Sequence, residues 1–165
     1  MKIKIKLTPW IYIFLTGAIL GYLLFPFIVE HIIGAMHEVG KRIDEDSTAI
    51  ELFFLYLVKN GSVVLLCYYT GKYLRGLIPG YICLTNGFVI GVLGFIIADT
   101  SSLLIFILCI LPHGIFEFCA LFQSCSIGTD KNKKFSDLSF PLLLLFLAAI
   151  IESTISPLII KALIG

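Results

Sequence analysis

Three side chains that can transfer protons or bind metals lie inside apolar stretches of this sequence. His113 and Glu117 fall within the apolar run from Leu103 to Cys125, and Glu152 falls within a later one. A spacing of four residues places His113 and Glu117 on one face of a helix. An imidazole beside a carboxylate suits proton relay, and a second carboxylate would add a metal ligand.

Carboxylates inside apolar runs need partners, because an isolated charge within the membrane costs several kcal/mol. Two further apolar segments carry polar groups, Lys59 and Asn60 in one and Asn86 in the other. We therefore predict an intramembrane polar centre in which Lys59 and Asn60 are the counterparts of the carboxylates. Its members are His113, Glu117, Glu152, Lys59, Asn60 and Asn86.

Pro112 and Gly114 flank the histidine of this centre. Proline removes a backbone donor from a helix and clashes with the preceding turn, and a nearby glycine lets the backbone yield. The pair predicts a helix kink that opens a backbone carbonyl or a small cavity beside His113.

The composition fits an integral membrane protein. Of 165 residues, 59% are hydrophobic and 14% are charged, and the mean hydropathy is +1.03. A soluble domain of this size is closer to half apolar. Each helical crossing needs about 20 apolar residues, so the length allows about five crossings. A net charge of +1 gives no reason to expect a nucleic-acid partner.

We predict an all-α, polytopic transmembrane helical bundle of about five spans, forming a single integral membrane domain over residues 1–165. The spans are expected at about 10–29, 49–70, 79–98, 103–125 and 140–163. The first apolar run is read as an uncleaved crossing, because no small-residue cleavage site follows it. Gly17 and Gly21 within it form a G-x-x-x-G pattern, which favours close approach of another helix.

The distribution of basic residues predicts how the chain is oriented. Basic residues in short loops favour the cytoplasmic side. They fall before the first span and in alternate loops, whereas the segment from Glu30 to Glu51 is acidic. The sequence thus predicts a cytoplasmic N-terminus and an external C-terminus. The basic residues are Lys2, Lys4, Lys6, Lys72, Arg75, Lys131, Lys133 and Lys134.

The five cysteines lie in or beside apolar segments, and none is paired as C-x-x-C. This pattern favours neither a disulfide framework nor a zinc site. We interpret them as small buried hydrophobic residues and predict no cofactor.

Three functions are compatible with the polar centre. In the first, the polar groups only hold helices together. In the second, they form a His/Glu relay of a membrane transporter or channel. In the third, His113, Glu117 and Glu152 bind a metal in an intramembrane hydrolase, although no H-E-x-x-H pattern is present.

Several segments resemble the stage II sporulation protein M family. Leu111–Ala120 resembles its L-P-H-G-x-x-E-x-x-A motif, and Lys59-Asn60 and Asn86–Gly91 fit the pattern around its Asn and N-G-x-x-x-G segments. Ala148–Glu152, followed by Pro157, resembles its closing A-x-x-x-E…P segment. The resemblance covers about residues 53–157.

This resemblance implies a multi-pass protein of the cell membrane without established enzyme activity. The family's namesake acts in endospore engulfment, in a membrane complex with partners that degrade peptidoglycan. We therefore predict a non-enzymatic anchor or scaffold for envelope-remodelling partners, peptidoglycan hydrolases among them. The chain is predicted to lie in the lipid bilayer, and its sequence is also compatible with a homo-oligomer.

Overall fold

The computed structural model describes residues 6–40, 48–73, 75–100 and 103–155, with the side chains of 30–40, 97–100, 103–106, 108, 109 and 155 left out. Within these ranges the chain is helical and contains no strand. Five helices are long and apolar enough to cross a membrane, which confirms the predicted all-α, five-span bundle. The helices are α1 (Thr8–Gly40), α2 (Ala49–Thr70), α3 (Leu77–Thr100), α4 (Leu103–Thr129) and α5 (Ser139–Ile150). A 3₁₀ turn (Phe135–Leu138) precedes α5, and a π-helical turn (Ile151–Ile155) continues it.

The start of α2 is fixed by a reciprocal cap. The Thr48 hydroxyl accepts a hydrogen bond from the Glu51 amide at 3.3 Å, and the Glu51 carboxylate accepts one from the Thr48 amide at 2.8 Å. Two of the four backbone donors left free at a helix N-terminus are satisfied in this way. The predicted boundary at residue 49 therefore coincides with the observed one.

Other helices run farther than their predicted spans. The first helix continues past Pro26 to Gly40, so the polar segment after the first span begins as helix. The fourth continues to Thr129, whose hydroxyl donates to the carbonyls of Cys125 at 3.2 Å and Ser126 at 2.9 Å. In this way the side chain of the last helical residue donates to backbone carbonyls of the last turn. Residues 41–47, 101–102 and 156–165 lie outside the described residues.

The closest helix pair is α1 with α3, joined through glycines. A Cβ added at Gly17 would collide with the backbone of Leu84 and Phe88. From the other side, a Cβ on Gly91 would collide with the Ala18 carbonyl and would stand 2.8 Å from the Tyr22 amide nitrogen. Small residues permit such backbone contact, which supplies van der Waals packing where lipid offers no hydrophobic drive. The G-x-x-x-G pattern of the first span thus finds its partner in α3.

The remaining helices, α2, α4 and α5, pack together beside this pair. Gly71 and Gly128 meet where the ends of α2 and α4 cross. Two apolar clusters fill the half of the bundle nearest this crossing. One contains Trp10, Cys67, Ile82, Cys83, Leu121 and Cys125, and the other contains Val64, Tyr68, Ala120, Ile127, Leu138 and Leu145.

Three cysteines meet inside the first cluster. The Cys125 sulfur lies 3.5 Å from that of Cys67 and 3.6 Å from that of Cys83, and all three side chains are fully buried. The interpretation as small buried residues is confirmed for these three. It is wrong for Cys119, which is exposed one turn after exposed Ile115 on the outward face of α4, and the side chain of Cys109 lies outside the described ones.

The basic loops lie at one end of the bundle, which we call the basic end. Its described members are Lys6, Lys72, Arg75, Lys131, Lys133 and Lys134. There Lys133 donates to the backbone carbonyls of Tyr68 and, at 2.9 Å, of Gly128, so one ammonium caps the ends of α2 and α4. It also stands 4.4 Å above the Tyr68 ring centroid. Burial, and then the charge of Lys72, lowers the pKa of Lys133 from its usual 10.5.

Replacing Lys133 by methionine should lower the free energy of unfolding by about 1–3 kcal/mol, because two helix-end carbonyls lose a charged donor. Lys131→Met is the matched control, since Lys131 is exposed two residues away and should tolerate the change. Titration with SDS in bicelles, followed by circular dichroism, measures the difference. Equal stability of the two variants would refute the capping role.

Candidate functional site

Asn60, Glu117 and Glu152, three of the predicted polar residues, lie at similar depth on α2, on α4 and in the turn that continues α5. Counting from the basic end, Asn60 is ten residues from Thr70 in α2, and Glu117 is twelve from Thr129 in α4. Glu152 follows the start of α5 by thirteen residues. At 1.5 Å per residue these positions stand about 15–20 Å from the basic end, which is the middle of a bilayer core about 30 Å thick.

Three of these side chains are brought together by the fold. The Asn60 side-chain amide donates a hydrogen bond to Oε1 of Glu117. The carboxyl group of Glu152 interacts with that of Glu117, by charge and by a side-chain hydrogen bond. The second oxygen of Glu152, Oε2, is buried without a hydrogen-bond partner among the described residues. The contact Asn60–Glu117–Glu152 thus joins α2, α4 and α5.

The backbone around Glu152 is not a regular α-helix. Ile151–Ile155 form a π turn, and the hydroxyls of Ser153 and Thr154 donate to the carbonyl of Ile150 at 3.2 and 2.6 Å. A π turn inserts an extra residue into the helical repeat, which rotates the side chains that follow, and such turns are frequent at functional sites. Both hydroxyls thus bond to the carbonyl of the residue just before the irregular turn.

Lys59 and Tyr56 lie near the carboxyl groups without contacting them closely. Lys59 interacts electrostatically with both Glu117 and Glu152, but it is exposed, and no ion pair within 4.0 Å is found for it among the described residues. Tyr56 is partly buried, and both carboxylates act on it electrostatically. We did not predict Tyr56, although its spacing of four from Asn60 places the two on one helix face.

A small cavity of about 30 Å³ adjoins Glu117. This volume holds one or two water molecules. Asn86 lines the cavity, but its side-chain amide donates to its own helix, to the Ile82 carbonyl at 2.8 Å. The cavity is lined by Asn60, Val63, Val64, Asn86, Glu117, Phe118, Leu121 and Leu145.

His113 lies one helical turn from Glu117 on α4 and is partly buried. Pro112 lies within α4, which is helical on both sides of it, and the predicted kink stays a prediction. Gly114 is buried, and a Cβ added there would stand 3.4 Å from the Phe118 ring. Of the residues predicted to form the centre, the contact described above joins Asn60, Glu117 and Glu152, whereas Lys59, Asn86 and His113 lie near it on α2, α3 and α4.

The contact between Asn60, Glu117 and Glu152 can do little chemically beyond sharing protons and hydrogen bonds. Two adjacent carboxyl groups repel when both are ionised, whereas a single shared proton makes their contact a hydrogen bond. The Asn60 amide adds a donor to Glu117 and orients it. Across the described part of the chain, no group of three or more His, Cys, Asp or Glu side chains is arranged to hold a metal ion. The arrangement is suited to joining helices, and to holding a proton while doing so.

A comparison with protein families connects this bundle to known proteins. The sequence profile described as Stage II sporulation protein M matches residues 10–157. The chain belongs to the Stage II sporulation protein M family. No curated protein and no solved structure gives a significant match.

The family match extends the resemblance found in the sequence motifs. It begins in α1 and ends just beyond the π turn, so it includes both the α1–α3 glycine contact and the polar centre. Membership in the Stage II sporulation protein M family and the five apolar helices together make this an integral membrane protein.

Proposed function

We propose that this chain is a non-enzymatic anchor or scaffold of the cell membrane that holds envelope-remodelling proteins, peptidoglycan-degrading ones among them. Membership in the Stage II sporulation protein M family supports the proposal, because the resemblance to that family implies work in a membrane complex with such partners. The observation that carries it is the bond from Asn60 to Glu117, continued to Glu152. These deep polar groups are used to join helices.

The size of the central cavity supports the same proposal. Sites for small molecules usually measure about 300–1,000 Å³. The cavity beside Glu117 measures about 30 Å³, so it admits water but no metabolite. A bundle with so small a central cavity is suited to presenting its outer helix faces and its loops to partners.

The proposal is tested by crosslinking in membranes of the source organism. The tagged full-length chain is crosslinked reversibly, solubilised and purified, and bound proteins are quantified by mass spectrometry. An unrelated five-span protein with the same tag is the control. We expect enrichment of an envelope protein that degrades peptidoglycan.

Recovery of the chain without any envelope protein would contradict the scaffold. A transporter or channel makes the opposite prediction, because purified protein in liposomes would then carry solute or protons down a gradient. Such a flux, abolished by Glu117→Gln, would replace the scaffold by transport.

We also propose that the basic end faces the cytoplasm, with the N-terminus inside and the C-terminus outside. The grouping of Lys6, Lys72, Arg75 and Lys133 at one end supports this orientation, since basic loops are retained inside. A green fluorescent protein fused to the N-terminus should fluoresce, and alkaline phosphatase fused to the C-terminus should be active. The reverse pattern would invert the topology.

A further inference from the structure

The exposed face of α2 carries a charge in the middle of the membrane. Lys59 stands ten residues after Ala49 and eleven before Thr70, so it is central in the span. Its side chain is exposed. An exposed ammonium at this depth costs several kcal/mol in lipid alone, which is why intramembrane charges usually have partners.

The described residues give this ammonium no direct bond. Glu117 and Glu152 interact with it electrostatically, but neither forms an ion pair with it within 4.0 Å in the described ranges. The two carboxyl groups instead contact each other, and Glu117 also accepts from Asn60. The three donors of the Lys59 ammonium therefore have no hydrogen-bond acceptor among the described residues.

Lipid headgroups are a poor partner for it. A lysine near a helix end reaches the interface by extending its side chain along the helix. From the centre of a hydrocarbon core about 30 Å thick, the interface is about 15 Å away. The four-carbon stem of Lys59 is far shorter than that.

The surroundings of Lys59 have the form of a helix-docking stripe. Exposed residues recur along α2 at intervals of three and four, which is one helix face. The apolar ones are large, and Ser62 beside Lys59 is small. A Cβ added to neighbouring Gly61 would meet nothing within 4 Å, so this part of α2 is not covered by any residue that the structure describes. The docking stripe consists of Leu55, Val58, Lys59, Ser62, Leu66 and Tyr69.

We propose that this docking stripe binds a membrane-spanning helix of another protein that carries a carboxylate at mid-membrane depth. Charge complementarity favours a partner helix of this kind, because its carboxylate would neutralise the Lys59 ammonium and accept hydrogen bonds from it. The proposal rests on the proposed function in one respect, that the chain works through helix contacts with membrane-anchored partners.

A second copy of this chain is a less suitable occupant. The described acidic residues at this depth are Glu117 and Glu152, and both are partly buried and face each other inside the bundle. A second copy would bring another Lys59, and like charges repel. The carboxylate therefore comes from a different protein.

The test uses the purified full-length chain in vesicles of phosphatidylcholine and phosphatidylglycerol. The probe is a synthetic leucine–alanine transmembrane helix with one central glutamate, labelled for energy transfer to a fluorescent protein fused to the chain. Matched peptides carry glutamine or leucine at that position. We expect the glutamate peptide to bind about 3- to 30-fold more tightly than the leucine peptide, the range of one polar interhelical contact.

Three variants make the result specific. Lys59→Met should remove the preference for glutamate while the chain still unfolds at the wild-type SDS concentration. Val58→Trp blocks the docking stripe without touching the charge, and should weaken binding of all three peptides. Leu143→Trp, at an exposed site on α5, should change nothing.

Equal binding of the three peptides would overturn the proposal, as would a glutamate preference that persists in Lys59→Met. Energy transfer between two labelled copies of the chain that Lys59→Met abolishes would also overturn it, in favour of self-association. None of these outcomes affects the crosslinking test of the scaffold, so the two proposals fail separately.

Discussion

Replacing Gly91 by alanine is expected to lower the free energy of unfolding by about 1–3 kcal/mol, although the change adds one methyl group. The added Cβ would collide with the Ala18 carbonyl and stand 2.8 Å from the Tyr22 amide nitrogen. Backbone atoms cannot rotate away as a side chain can, so α1 would have to move off α3. In lipid the loss is not offset by hydrophobic contact, because the exposed surface is solvated by acyl chains.

Gly94 provides the matched control on the same helix. A Cβ added there meets nothing within 4 Å. Gly94→Ala should leave stability unchanged or raise it by up to about 1 kcal/mol, because alanine favours helix more than glycine does. Both variants are compared by SDS titration in bicelles. If Gly91→Ala were as stable as Gly94→Ala, the close α1–α3 contact would be refuted.

Removing the carboxylate of Glu117 is expected to destabilise the bundle by about 1–3 kcal/mol. Glu117→Leu leaves the Asn60 amide and the Glu152 carboxyl group at membrane depth without their shared partner. The cost comes from these stranded groups more than from the lost bond. We expect Asn60→Leu to cost less, because Glu117 keeps its contact with Glu152.

A double-mutant cycle separates the bond from other effects. Because Asn60 and Glu117 are bonded, the double variant should lose less stability than the two single variants together, by about 0.6–2 kcal/mol. The control cycle pairs Glu117→Leu with Lys59→Met, next to Asn60 on α2 but without a direct bond. Its coupling should be smaller. Additive losses in the Asn60 cycle would contradict the helix-joining role of the polar centre.

Much of the architecture could be predicted because bilayer thickness sets span length. Apolar runs of about 20 residues identified all five crossings, and the predicted start of the second span at residue 49 coincides with the start of α2. The predicted first span ends at residue 29, whereas α1 continues to Gly40. Span patterns report hydrophobicity, and they do not report where helical hydrogen bonding stops.

The members of the polar centre were also predictable, but their pairing was not. Polar residues stand out in apolar runs, so Asn60, Glu117 and Glu152 were found by type alone. Which groups touch depends on how each helix is rotated about its axis, and periodicity is weak in helices that are apolar all round. The π turn at Ile151–Ile155 shifts this rotation after α5, and nothing in the sequence marks it.

The pairing of α1 with α3 has a consequence for how the protein is made. The described part of α1 packs on α3, and more lightly on α4, with no contact to α2. Its glycine contacts end at Gly91, 62 residues after the first span closes at Val29. At ribosomal rates of 5–20 residues per second, that stretch takes about 3–12 s to synthesise. During this time the first helix sits in the bilayer before α3 has been made, so the α1–α3 glycine contact forms late in synthesis.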